Sequence, residues 1–167
     1  DISLVGGIVG GGAFQGFLVD VATAEANGIK YLDDIADDPA IAALFDVDGD
    51  GTADLTGCNE GWGCNVLIEE LITANGWEAT ITQVVGDFDA LWAAEVEGFG
   101  NGGPVLSYVW APSAFVAQLV PGEDVLWLSV RQDQGDSSEI ALPPSQCPGQ
   151  PCQLGLALNE IMAAGNS

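Results

Sequence analysis

The sequence predicts an α/β fold, a three-layer α/β sandwich, as one domain over residues 1–167. Three observations predict it. Apolar, β-branched runs alternate along the chain with segments of helical periodicity. Hydrophobic residues make up 48% of the chain at a mean hydropathy of +0.28, which argues against disorder despite a formal charge of −23. A length of 167 residues fits a single domain that buries about 70% of its unfolded surface. Neither an internal repeat nor a linker interrupts it.

The elements follow in order. Residues 1–12 form an apolar, glycine-rich arm with Leu4-Val5 and Ile8-Val9 as its bulky points. Phe14 to Asp20 reads as a buried strand, and Thr23 to Asn27 as a short helix ended by Gly28 at its C-cap. Leu32 to Phe45 is helical, with Pro39 opening a second part. From Cys64 to Ala74, Val66, Leu67 and Leu71 with Glu69-Glu70 outward suit an amphipathic helix. Trp77 to Val85 alternates like a strand, and Phe88 to Val96 is helical with Asp87 as N-cap. Pro104 to Trp110 is a strand, a helix opens near Pro112-Ser113, and Val125 to Val130 is another strand. Residues 132–152 form a loop rich in Ser, Pro and Gln, and Leu154 to Ala164 closes the chain.

Charge excludes several functions. With 25 acidic side chains against only Lys30 and Arg131, no cationic surface can be built for nucleic acid or for an anionic membrane surface. The absence of histidine removes imidazole-based catalysis and metal ligation. No apolar run reaches the ~20 residues of a membrane helix. A chain that begins at Asp1 and not at Met is expected to be processed or a fragment. The uncompensated acidic surface suits a salt-rich or marine setting, where counterions screen self-repulsion.

Four cysteines stand in two tight pairs, Cys58/Cys64 and Cys147/Cys152. Zinc is the competing reading, but these spacings without histidine fit it poorly. Two local disulfides place the protein in an oxidising compartment, periplasmic or extracellular.

The segment from Asp46 to Leu55 is the sharpest local signal. Asp46, Asp48, Asp50 and Asp54, with Gly51 for a positive φ and the Thr52 carbonyl at the seventh position, match a structural calcium loop. Gly57 stands where an EF-hand has its glutamate, so water or Glu60 would complete the shell. The plainer reading is a polar turn whose aspartates cap backbone amides.

A second unusual segment, Cys58-Asn59-Glu60-Gly61-Trp62-Gly63-Cys64, sets a tryptophan inside a cysteine-bounded ring at a helix N-terminus. There the amides of Gly63 and Cys64 can meet a carboxylate and the Trp62 face a cation. Trp110 ends a strand in Tyr108-Val109-Trp110-Ala111-Pro112, where sheets of this class place ligand-facing groups.

At these residues the chain resembles the glycine betaine/proline-betaine substrate-binding proteins of osmoprotectant ABC transporters. The matching text is Gly16 to Asp20, Leu44 to Asn59, Gly61 to Cys64, Trp110 to Pro112 and Pro121 to Leu128, within a stretch of roughly residues 8 to 155. The resemblance implies one lobe, the second and inserted one, of a type II periplasmic-binding-protein fold in which two α/β lobes close on the ligand. It implies Trp62 and Trp110 as walls of a cage for a small quaternary-ammonium group, Gly63 and Cys64 as carboxylate donors, and Cys58–Cys64 as the loop disulfide. The family's other lobe supplies a third cage tryptophan and a polar contact, and nothing in this chain matches either.

Trp77, Trp92 and Trp127 read as core packing, and the pairs Asp33-Asp34, Asp37-Asp38 and Glu69-Glu70 as solvated surface. Ser137-Ser138 has no base nearby, so the chain is not expected to be an enzyme. Three functions remain: a betaine-type solute-binding lobe, a recruited structural subunit self-associating through the N-terminal arm by strand addition, or a calcium-stabilised secreted domain with another ligand.

Overall fold

The protein's structure is a computed structural model that describes residues 2–7, 13–131, 137–157 and 162–166. Its strands in chain order are β1 (Ile2–Gly7), β2 (Phe14–Asp20), β3 (Ala53–Thr56), β4 (Ile81–Val84), β5 (Leu106–Ala111), β6 (Val125–Leu128), β7 (Ser137–Glu139), β8 (Gln153–Ala157) and β9 (Met162–Asn166). The helices are α1 (Val21–Asn27), α2 (Leu32–Ala36), α3 (Pro39–Ala42), α4 (Gly63–Asn75) and α5 (Phe88–Gly100). A mixed central sheet runs in the order β4-β3-β5-β2-β6, while β1 pairs with β9 and β7 with β8 in separate two-stranded ladders.

The apolar run of β2 has a simple cause. The strand lies between β5 and β6, antiparallel to both, and Phe17, Leu18 and Val19 are fully buried. Such a strand reads as continuous hydrophobicity and not as alternation. At its end Asp20 is buried too. One carboxylate oxygen caps α1 by accepting from the Thr23 amide at 2.7 Å, and the other accepts from the Val105 amide at 2.9 Å. A single side chain thus joins β2, α1 and the entry to β5. Gly28 ends α1 at φ 70°, the left-handed conformation expected of its C-cap.

The strands β3, β4 and β5 are parallel neighbours, linked by crossovers through α4 and α5. One crossover steps outward from β3 to β4 and the next steps back past β3 to β5. Right-handed connections in opposite directions put their helices on opposite faces, which makes three layers. Side chains agree. The Gln83 amide of β4 donates to Glu69 and to the Asn65 carbonyl on α4, whereas Thr56 of β3 donates its hydroxyl to Glu95 on α5. Because Gln83 pairs with Leu55 and Val84 with Thr56, these two contacts leave the sheet on opposite sides. Glu95 also accepts from the Leu106 amide at 3.0 Å, so it clamps β3 to β5 where Thr56 and Ser107 are their paired residues. Burial pushes its carboxyl above the ordinary carboxylate range, against the opposing pull of these hydrogen bonds.

Several expectations meet the structure as read. Asp87 caps α5 through the Ala90 amide, Pro39 opens α3, and Trp77, Trp92 and Trp127 are core residues. Others need correction. The strand expected over Trp77 to Val85 is only Ile81–Val84, because Gly76 turns left-handed and Trp77 closes the helix by donating to the Ile72 carbonyl. The helix expected near Pro112-Ser113 is one 3-10 turn, Phe115–Ala117; the Ser113 hydroxyl binds the Trp110 carbonyl instead. On α4 the buried stripe is Cys64, Ile68, Leu71 and Ile72, with Val66 exposed.

Of the acidic pairs, Asp37-Asp38 and Glu69-Glu70 are exposed as expected, while Asp33-Asp34 is more than solvated surface. Asp33 is buried and accepts from the Arg131 amide, Asp34 accepts from the Lys30 and Tyr31 amides and pairs with the Arg131 guanidinium, and Glu69 holds Gln83. Within the expected loop at 132–152, residues 137–139 form a strand with β8, and residues 132–136 lie outside the described residues. In the arm, Ile2–Gly7 finds its strand partner in the chain's own β9, while Asp1 and residues 8–12 lie outside the description. Residues 158–161 of the closing segment lie outside it as well. Among the described residues no helix is long and apolar enough to cross a membrane.

Candidate ligand-binding site

Two elements converge at one end of the sheet. The first is the loop from β3 into α4, where the Cys58–Cys64 disulfide closes a short ring with Trp62 inside it. Asn59 holds this loop from two sides: its carbonyl accepts from the Trp62 amide, and its side-chain oxygen accepts from the Phe88 amide at the start of α5. Trp62 is the N-cap of α4 but makes no side-chain cap, so its indole is left 48% exposed. The following amides of Gly63 and Cys64 have no acceptor among the described residues, and no acidic side chain occupies the first turn. They therefore present the positive end of a 13-residue helix to the outside.

The second element is the end of β5. The Trp110 ring is held by Phe88 and Phe115, with centroids 4.9 and 5.2 Å away, and it lines open space. Between the two elements lies an open cavity of about 350 Å³. It is lined by all four residues the sequence singled out, Trp62, Gly63, Cys64 and Trp110, together with Gln15, Leu67 and Tyr108. Neither cation of the chain lines it, so helix amides are its source of positive potential.

Gln15, Leu67 and Tyr108 were not anticipated. Tyr108 had a signal, because residues two apart on a strand share a face with Trp110. Gln15 is set opposite Trp110 by strand register, which nothing local in the sequence encodes. Leu67 lies one turn beyond Gly63 and Cys64 on α4.

The carboxylate loop is a separate place. Asp46, Asp48 and Asp50 each offer an oxygen within 4.8 Å of the others. The same carboxylates also hold the turn: Asp46 accepts from the Gly49 and Gly51 amides, Asp48 from Asp50, and Asp50 from Thr52. Asp54 is not of that trio; it accepts from the Val47 and Asp48 amides. The Thr52 hydroxyl lies against Asp50 and Thr82. Gly51 adopts φ 98°, the positive value expected of it. The second disulfide, Cys147–Cys152, lies in the segment along β6 and is buried. A second cavity of about 410 Å³ between α5 and the loop before β3 is mostly apolar, with Asp48, Asp54 and Glu95 in its wall.

Comparison with known proteins bears on this arrangement. Residues 2–148 match the family described as the substrate binding domain of ABC-type glycine betaine transport system. The chain belongs to this family. Within the glycine betaine transport family, a glycine betaine-binding periplasmic protein of Dickeya dadantii (strain 3937) is 44% identical over 124 residues, covering 74% of this chain and 37% of the relative. A glycine betaine/proline betaine-binding periplasmic protein of Escherichia coli (strain K12) is 42% identical over the same shares. The chain thus spans little more than a third of the length of these curated relatives.

Among solved structures, an ABC-transporter choline binding protein in complex with choline superposes with a TM-score of 0.58 at 19% identity, over 77% of this chain and 40% of that one. The glycine betaine, L-proline-binding protein of Borrelia burgdorferi gives 0.56 at 16%, over 78% and 42%. These likenesses show the fold, the single α/β lobe of a periplasmic binding protein.

Proposed function

We propose that this chain is a ligand-binding lobe for a small quaternary-ammonium carboxylate, glycine betaine foremost, serving ABC transport in the periplasm or at the cell exterior by binding and not by catalysis. The observation that carries the reading is the cavity itself, in which the Trp62 and Trp110 indoles and the free first-turn amides of α4 lie together. A quaternary ammonium has no N–H to donate, so the electron-rich face of an aromatic ring is its natural partner. A carboxylate a few bonds away suits unpaired amides at a helix N-terminus. The names of the family and of the curated relatives support the ligand class and the periplasmic setting. Two disulfides among the described residues suit an oxidising compartment.

Cation–π contacts contribute about 0.5–1 kcal/mol each when exposed and ~2 when desolvated. Two such faces plus charge-assisted hydrogen bonds therefore support a dissociation constant on the order of 1 mM for the open lobe. Titration calorimetry with glycine betaine tests this: saturable millimolar binding is expected, and heats no larger than those of a sucrose control would contradict it.

A structural calcium ion on Asp46, Asp48 and Asp50 is a separate proposal, supported by the spacing of their oxygens. Calcium well above its dissociation constant should raise the thermal midpoint, and D48N should abolish that rise. An equal midpoint in calcium and in chelator would contradict it.

A further inference from the structure

Resting on the binding reading above, we infer that Tyr108 is a third aromatic wall of the cation site, and that Gln15 is the positioning residue that holds it. The wall is built by strand geometry. Tyr108 and Trp110 stand two residues apart on β5, both line the cavity, and their ring centroids are 6.2 Å apart with planes 36° from each other. They form one continuous aromatic surface. The ring of Phe88 packs against both, edge-on to Tyr108 at 6.3 Å and tilted against Trp110 at 4.9 Å.

Register supplies the clamp. Across the antiparallel pair, Phe17 faces Tyr108 and Gln15 faces Trp110, which makes Gln15 the diagonal neighbour of Tyr108. Side chains at that spacing meet when both are long. Here the Tyr108 hydroxyl donates to the Gln15 side-chain oxygen at 2.6 Å, with both residues nearly inaccessible, 3% and 4% exposed. Burial pushes the phenol's ionisation upward, so the hydroxyl keeps its proton and remains the donor. A hydrogen bond buried in this way is costly to leave unmade, so it fixes the ring's tilt.

The consequence is a specificity device. The Tyr108 hydroxyl proton is committed to Gln15, so the aromatic surface that Tyr108 shares with Trp110 offers the cavity no free hydroxyl donor. That surface suits a methylated ammonium, and the α4 amides are left to read the carboxylate. Three aromatic faces from a single lobe then replace the two that the sequence suggests.

The experiment compares wild type, Y108L, Y108F, Q15L and the double variant Y108F/Q15L, using tetramethylammonium, acetate and glycine betaine as probes followed by NMR titration. Tetramethylammonium carries only the cation, and acetate only the anion. Y108L should weaken tetramethylammonium and glycine betaine by roughly tenfold, and Y108F and Q15L each by about threefold. The double variant should lose less than the product of the two single losses, because both changes remove the same Tyr108–Gln15 bond. Acetate should bind all variants alike, which a general collapse of the lobe would not allow. If Y108L does not fold, the other three variants carry the test. Tetramethylammonium binding within twofold of wild type in Y108F and Q15L, or losses that multiply in the double variant, would overturn the assignment. Wild type binding neither tetramethylammonium nor glycine betaine overturns the functional reading itself, and is thereby distinguishable.

Discussion

Replacing Trp110 with alanine should remove measurable glycine betaine binding from this lobe. The indole is the best backed of the cavity's aromatic faces, with Phe88 and Phe115 both within 5.2 Å of it. Losing a desolvated cation–π face removes ~2 kcal/mol, about a thirtyfold weakening from a starting constant near 1 mM. Trp110 also packs against the core, so W110A will lose some stability, and circular dichroism must show that the lobe still folds. W110F separates the two effects. It keeps a ring in place, should retain most of the stability, and should bind with intermediate affinity because phenylalanine is a weaker cation–π partner than tryptophan. Equal affinity in wild type and W110A would place the ligand elsewhere.

The second large effect is on folding, at Asp20. Alanine there removes the cap of α1, worth about 0.5–2 kcal/mol, and leaves the Val105 amide buried without its acceptor, a further ~1–3 kcal/mol. The sum is about 1.5–5 kcal/mol, a large share of a small domain's total stability. Urea unfolding should show the midpoint fall with the slope unchanged. D20N keeps one carbonyl oxygen and should lose roughly half as much. A loss below ~0.5 kcal/mol in D20A would mean that the carboxylate does not join β2 to the entry of β5.

Asp20 also shows where the sequence stops being informative. Its place at the end of a buried apolar run is visible locally, but the bond to Val105 spans 85 positions and depends on β2 and β5 being neighbours. Asp33 is a similar case: it looks like half of an exposed acidic pair, yet it is buried under the Arg131 amide, 98 positions away. Composition and periodicity report on a residue's own element, whereas strand order decides which carboxylates go inside. The alternation of strands and helices, the caps at Asp87 and Gly28 and the core tryptophans were legible because each is set within a few residues. The strand expected from Trp77 failed for the same local reason, since Gly76 and Trp77 complete the end of α4 before β4 can begin.

The site was legible to the extent that its parts are contiguous. Trp62, Gly63 and Cys64 are one short segment whose chemistry, an indole followed by free helix amides, can be read directly. Trp110 was found at the end of a strand. Its partner Tyr108 obeys a period-2 rule that was available, but Gln15 enters the cavity through register with β5. Two cysteine pairs with short spacings left zinc open on the sequence alone, and the structure joins them as Cys58–Cys64 and Cys147–Cys152.

An amide and indole NMR map of the chain titrated with glycine betaine shows directly where the ligand sits. The cavity between Trp62 and Trp110 and the apolar one beside Glu95 lie against different helices, so their signals separate cleanly. Saturable shifts are expected at the Gly63 and Cys64 amides and at the Trp62 and Trp110 indole N–H groups, with one common dissociation constant. Shifts confined to Leu91, Ala94 and Glu95, or no shifts at millimolar ligand, would contradict this placement.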